Sequence, residues 1–159
     1  MKEIIITNKF STYESLTELP SEIQNLFEKA TLILKNAHAP YSKFKVGVAI
    51  LLDNGTIVLG SNQENAAYPS GLCAERVALF QAMSNFPESK ILKMVITATS
   101  EAGVNSAVPP CGACRQSIAE YETKQESPIE IYFMGEKDTI YKSESLKNLL
   151  PLLFNKKLL

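Results

Sequence analysis

The chain has 159 residues, 45% of them hydrophobic and 21% charged, with a formal net charge of -1 at pH 7. That length suits one domain with a buried core, and a pI of about 5.9, with no basic run beyond the short pairs Lys43 with Lys45 and Lys156 with Lys157, argues against the basic stripe of a nucleic-acid binder. No apolar stretch approaches the ~20 residues of a membrane helix, and Met1 to Thr7 lacks the long apolar core and cleavage site of a signal peptide.

Residues 1–20 combine a β-prone stretch, Ile4 to Thr7, with a Ser/Thr-rich middle and Pro20; they read as an arm or edge strand, and residues 21–159 as one domain. A helix is expected from Ser21, with Ser21 as N-cap and Gln24 completing a capping box. Its apolar positions Ile23, Leu26, Phe27, Ala30, Ile33, Leu34 and Ala37 recur with the helical period until Pro40. Val46 to Leu52 and Thr56 to Gly60 are β-rich runs joined through Asp53-Asn54-Gly55, a hairpin signal. Cys73 to Ser84 is read as a helix, Ile91 to Thr99 as a buried strand, and Cys111 to Tyr121 as a helix with Ile118 and Tyr121 on the Cys114 side. Ile129 to Met134 and Thr139 to Lys142 are read as strands, and Ser145 to Leu150 as helical before Pro151. Helices alternating with strands imply a layered α/β domain, and the hairpin makes its sheet mixed.

The three cysteines, Cys73, Cys111 and Cys114, are odd in number, which argues against a disulfide framework and for a reducing compartment. Two cysteines three apart at a helix start can meet the ~3.8 Å sulfur spacing of tetrahedral zinc, and the helix N-terminus favours their thiolates. Thioredoxin-like redox pairs and half zinc ribbons share C-x-x-C. A ribbon needs a second pair, however, and a redox pair leaves Cys73 without a purpose. Cys73 adds a third thiol at another expected helix start, and three protein ligands are the number that leaves a catalytic zinc a position for water.

Glu75 lies two residues after Cys73, so it diverges from the ligand face and suits a proton carrier beside that water. Three thiolates make zinc a poor Lewis acid unless a cation withdraws charge, and Arg76 can donate to the sulfurs. Taken singly, Glu75 and Arg76 would read as solvated helix residues.

Five segments occur in order: Ala39 to Gly47 (A-P-Y-S-K-F-K-V-G), Asn62 to Tyr68 (N-Q-E-N-A-A-Y), Cys73 to Arg76 (C-A-E-R), Pro110 to Gln116 (P-C-G-A-C-R-Q), and Leu149-Leu150-Pro151 with Phe154. Together they resemble the cytidine deaminase family, in its small three-cysteine homotetrameric branch, where cysteine replaces the histidine of the H-x-E…P-C-x-x-C zinc signature. Val48, where a small alanine is usual, and the first 20 residues depart from the family pattern.

The resemblance implies a three-layer α/β/α fold around a mixed central sheet. It implies one Zn2+ per subunit on Cys73, Cys111 and Cys114, Glu75 as the catalytic proton carrier, and Arg76 offsetting the thiolate charge. It places Asn62 and Glu64 on the ribose 3′-hydroxyl, with Glu64 repelling phosphate, Phe44 against the nucleoside, and Phe154 on the base in a neighbouring subunit's site. The activity implied is hydrolytic deamination of cytidine and deoxycytidine to uridine and deoxyuridine, in cytoplasmic pyrimidine salvage. The enzyme would be a homotetramer with shared active sites and no nucleic-acid or membrane partner.

Alternatives are a blasticidin-type amino-pyrimidine deaminase, a non-catalytic zinc-stabilised interaction module, and a polynucleotide deaminase, which fits poorly with the acidic pI and absent basic groove. His38, the single histidine, lies outside the chemistry-bearing motifs and reads as a surface or capping residue. Tyr41, Tyr68, Arg115 and Gln116 read as shaping the pocket and subunit contacts.

Overall fold

A computed structural model describes residues 1–136, 139–155 and 158; the expected basic pair Lys156 and Lys157 lies outside them. Strands β1 (Ser11–Tyr13), β2 (Phe44–Leu52), β3 (Ile57–Ser61), β4 (Ile91–Ser100), β5 (Glu130–Phe133) and β6 (Ile140–Ser143) form one sheet in the order β1-β6-β5-β4-β2-β3. The β4–β5 pair is parallel and the others antiparallel, so the sheet is mixed.

Helix α1 (Ser21–Ile33) covers one face; α2 (Ala74–Asn85) and α3 (Gly112–Gln125) cover the other. The two-residue period of the strands makes this sandwich possible. Ala49, Leu51, Val95 and Tyr132 meet Ile23, Leu26, Phe27 and Ala30 of α1. Val48, Ile50, Leu52, Met94, Ile96 and Ile131 point the opposite way, toward Ala78, Leu79, Ala82 and Ile118. Full burial of a side chain such as Phe27 contributes about 1.5–3 kcal/mol.

Several local expectations are corrected. Ser21 is the first helical residue of α1, and Pro20 is the N-cap, its carbonyl accepting from Ile23 (2.9 Å) and Gln24 (3.1 Å). The Gln24 side chain reaches Leu19 O at 2.8 Å and closes no capping box. The helix ends at Ile33 and tightens into a 3-10 turn over Leu34–Asn36, short of Pro40. In the hairpin Leu52 O accepts from Gly55 N at 3.0 Å, and Gly55 alone among the turn residues takes a positive φ, 81°. A turn with both central residues left-handed would need the same of Asn54; here one left-handed glycine follows the turn. Ile4 to Thr7 forms no strand, and the chain joins the sheet edge at Ser11–Tyr13 instead. Ser145 to Leu150 contains only a 3-10 turn, Leu146–Asn148, with the Ser145 side chain capping Lys147 N.

Glu122 is buried on α3, where periodicity leads one to expect an apolar side chain. Its carboxylate accepts from Ile129 N (2.8 Å), Leu146 N (2.9 Å) and Ser145 Oγ (2.6 Å), joining α3 to β5 and the C-terminal turn. Gly60 decides how closely α2 approaches. A Cβ there would lie 2.6 Å from both Ala74 O and Ala78 N, so β3 and the first turns of α2 meet backbone to backbone. Gly60→Ala is therefore expected to lose about 1–3 kcal/mol through overpacking, measured as a lowered urea midpoint with an unchanged m-value.

Candidate active site

The cysteines sit where the first turns of α2 and α3 meet, one edge of the core laid down by β2 and β4. Cys73 is the N-cap of α2 and Cys111 the N-cap of α3; both have extended backbone and neither side chain caps its helix. Cys114 follows in the first turn of α3 and is fully buried. The Sγ atoms of Cys73 and Cys111 are 3.8 Å apart, those of Cys111 and Cys114 3.4 Å, and all three lie within 4.8 Å of one another. Zinc–sulfur bonds of ~2.3 Å in a tetrahedron separate sulfurs by ~3.8 Å. Three soft donors at this spacing, on two helix N-termini, fit one Zn2+.

The charge around the sulfurs is uneven. A hydrogen bond from the Cys114 thiol, followed by one from Arg76, pulls the Cys73 thiol down to about 5. The same Cys73 contact, with burial, pushes the Cys114 thiol up. Arg76 Nη2 stands 4.0 Å from Cys73 Sγ, while its Nε is buried without a hydrogen-bond partner among the described residues. Glu75, one residue earlier, is 5% exposed. Burial raises its carboxyl above the usual range, and the neighbouring Cys73 thiolate adds to the effect. A carboxyl held that way binds and releases protons closer to neutrality than an exposed one.

A cleft of about 580 Å3 opens beside Cys73 and is lined by Tyr41, Asn62, Glu64, Tyr68 and Arg76 among others, a size ordinary for a small-molecule site. Asn62, Glu64, Cys73 and Arg76 thus share one cavity. Phe44, half-buried at the start of β2, and Phe154, exposed in the C-terminal segment, are not among the residues lining it. Asn62 faces inward with its amide already engaged: Oδ1 accepts from Val46 N at 2.8 Å and Nδ2 donates to Phe44 O at 2.9 Å. One lone pair and one N–H remain for a ligand.

His38 contributes two backbone hydrogen bonds, and its side chain adds a small electrostatic pull on the Glu64 carboxyl. Its N–H donates to Asn62 O at 3.0 Å and its carbonyl accepts from Glu64 N at 2.8 Å. Gln63 exchanges two backbone bonds of 2.9 Å with Leu72. Asn62–Glu64 is therefore clamped from both sides, and Gly71 and Leu72 become cleft wall, which no periodicity or motif in the sequence signals. The Tyr41 and Tyr68 rings, centroids 6.1 Å apart, stand together at this cleft. Arg115 Nε donates to Pro110 O (2.8 Å) and its Nη1 to Leu149 O (2.9 Å), tying the cysteine turn to the C-terminal segment.

Residues 20–127 match the family described as the cytidine and deoxycytidylate deaminase zinc-binding region. The chain belongs to this family. Among its relatives is a cytidine deaminase of Sporosarcina psychrophila, 39% identical over 136 residues, which span 85% of this chain and 93% of that one. Another, from Halalkalibacterium halodurans, is 42% identical over 97 residues, 61% of this chain and 70% of that one. The crystal structure of cytidine deaminase from Burkholderia pseudomallei superposes with a TM-score of 0.71 at 31% identity, covering 86% of this chain and all of that one (100%). The mixed sheet between helical layers is thus the fold of the deaminase family, and zinc is its cofactor.

Arg76→Gln is expected to weaken zinc retention about 10–100-fold in competition with a chromogenic chelator, the usual loss when a partner of a metal ligand is removed. Cys73→Ala is expected to drop bound zinc well below one ion per chain, measured by atomic emission.

Proposed function

We propose that this chain catalyses the zinc-dependent hydrolysis of cytidine and deoxycytidine to uridine and deoxyuridine, water supplying the new oxygen at C4 and the amine leaving as ammonia. The observation that carries the reading is the three-thiol cluster near a buried carboxyl, with one of its thiols, Cys73, lining a cleft of about 580 Å3. Cys73, Cys111 and Cys114 would hold the ion. Zinc supplies Lewis-acid activation of water there.

Glu75 is the proton carrier. Burial raises its carboxyl, which makes its carboxylate a stronger base: the carboxylate would take a proton from the attacking water, deliver it to the ring nitrogen N3, and pass a further proton to the departing amine. Arg76 draws negative charge from the Cys73 sulfur by its hydrogen bond. Asn62 and Glu64 would bind the ribose 3′-hydroxyl, where a fixed amide and carboxylate penalise ligands lacking it. Glu64 would also disfavour a phosphate in that place.

Phe44 and Phe154 would complete the pocket on the nucleoside and base. Phe154 is 57% exposed and outside the lining of its own chain's cleft, which supports a place for it in a neighbouring subunit's site and a homotetramer with shared active sites. Residues 21–159 would form the deaminase domain and residues 1–20 an N-terminal arm or edge strand; the pairing of Ser11–Tyr13 with β6 supports the edge strand, and the family match begins at residue 20. Pyrimidine salvage in the cytoplasm is the process in which such an activity belongs; among the described residues no helix is long and apolar enough to cross a membrane.

The deciding experiment measures zinc content and cytidine turnover on one preparation. Ammonia release with about one zinc per chain supports the reading, and fully loaded protein that leaves cytidine intact overturns it. Glu75→Gln is expected to keep its zinc and lose at least ~10²–10⁴-fold in kcat.

A further inference from the structure

Glu64 is not held by its own strand or loop. Its carboxylate is gripped by the turn that leads into β2. Oε2 accepts the backbone N–H of Tyr41 at 2.9 Å and of Ser42 at 3.3 Å, and Oε1 accepts a short hydrogen bond from the Ser42 hydroxyl. Ser42 Oγ in turn accepts Phe44 N–H at 3.0 Å, and Lys43 N–H closes the turn on Ala39 O at 3.2 Å. Lys43 adopts φ 57°, a left-handed conformation that a non-glycine residue takes at a cost. Backbone held in that region is over-determined by its surroundings, a feature that gathers at ligand sites.

Such a grip has a chemical consequence. The Ser42 hydroxyl, before the backbone bonds to Tyr41 and Ser42, holds the Glu64 carboxyl below the usual carboxylate range, so the group is a charged acceptor in the cleft. Oε1 has one protein donor and keeps acceptor capacity free, and a carboxylate without a proton can only accept. The ligand group it takes is therefore a hydroxyl or amine donor. Ser42, Glu64 and Asn62 all line the same cleft, so the donor reaches Glu64 next to the remaining amide valences of Asn62.

We propose that Ser42 is a positioning residue for substrate selection: its hydroxyl fixes the Glu64 carboxylate in the orientation that accepts a ligand hydroxyl. This rests on the cytidine-deaminase reading, in which that hydroxyl is the ribose 3′-OH. A serine that only closed the turn would affect stability and every substrate alike. One that aims Glu64 affects only substrates carrying the hydroxyl.

The test compares zinc-loaded wild type, Ser42→Ala, Ser42→Thr, Glu64→Gln and the Ser42→Ala/Glu64→Gln double variant on cytidine and 3′-deoxycytidine. Ser42→Ala is expected to raise KM for cytidine about tenfold, the size of one hydrogen bond to a charged group, with a much smaller change in kcat. The penalty should fall on cytidine and spare 3′-deoxycytidine. Ser42→Thr, which keeps the hydroxyl, should restore most of the loss, and the double variant should be no worse on cytidine than Glu64→Gln alone. An equal KM penalty on both substrates, or additive losses in the double variant, would overturn the role of Ser42 while leaving the deaminase reading intact. Zinc-loaded wild type that fails to turn over cytidine would sink both, and is recognised before any variant is compared.

Discussion

Everything in this site depends on holding three sulfur atoms together that would repel one another as thiolates. The chain does this by aiming two helices at one point: Cys73 ends the approach to α2, Cys111 the approach to α3, and Cys114 returns to the same place after the first turn of α3. Both helices offer the positive ends of their dipoles, which favour negative charge. The contact between Cys73 and Cys114 lowers the Cys73 thiol and, with burial, raises the Cys114 thiol. A divalent cation held there would need the thiolates, so metal capture would be linked to proton release. Arg76 stands 4.0 Å from the Cys73 sulfur, a positive charge beside the thiol cluster.

The convergence is enforced from behind. Gly60 lets α2 settle on β3 with no side chain between them, and Glu122 ties α3 to the backbone at Ile129 and Leu146. These two contacts fix the helices that carry the cysteines. The cleft in front is built differently. Its wall is backbone paired with backbone, His38 with Asn62 and Glu64, and Gln63 with Leu72. Side chains presented on such a frame have little freedom, which favours a site that discriminates ligands by single hydrogen bonds.

Elements defined by local pattern were legible. The apolar period placed α1, the alternating and apolar runs placed β2 and β4, and the cysteine spacing marked both helix starts to within a residue. Errors arose where a nearby partner outweighed local preference. Ser21 is a good N-cap by type, yet the Pro20 carbonyl already accepts the first helical N–H groups, so the helix begins one position early. Asn54-Gly55 signalled a hairpin correctly, while the turn geometry followed from the strand register. The burial of Glu122 left no local signal, because the donors that hold it come from Ile129 and from the turn at Ser145 and Leu146. An edge strand within residues 1–20 was legible but not its position: Ser11–Tyr13, and not the β-prone Ile4 to Thr7, gains strand structure by lying against β6.

Residue types and spacing alone determined the zinc-suited thiols, the carboxyl two residues beyond the first of them, and the alternation of helices and strands, because coordination chemistry and helical periodicity are local properties. Only the tertiary structure decided that Cys73, 38 residues from Cys111 in the chain, comes within 3.8 Å of it, that Glu75 is buried and its carboxyl raised, and that Glu64 is gripped by a turn 22 residues away. Those outcomes depend on how α2 and the turn before β2 pack on the sheet. Packing is a sum over distant contacts that no short stretch of sequence contains.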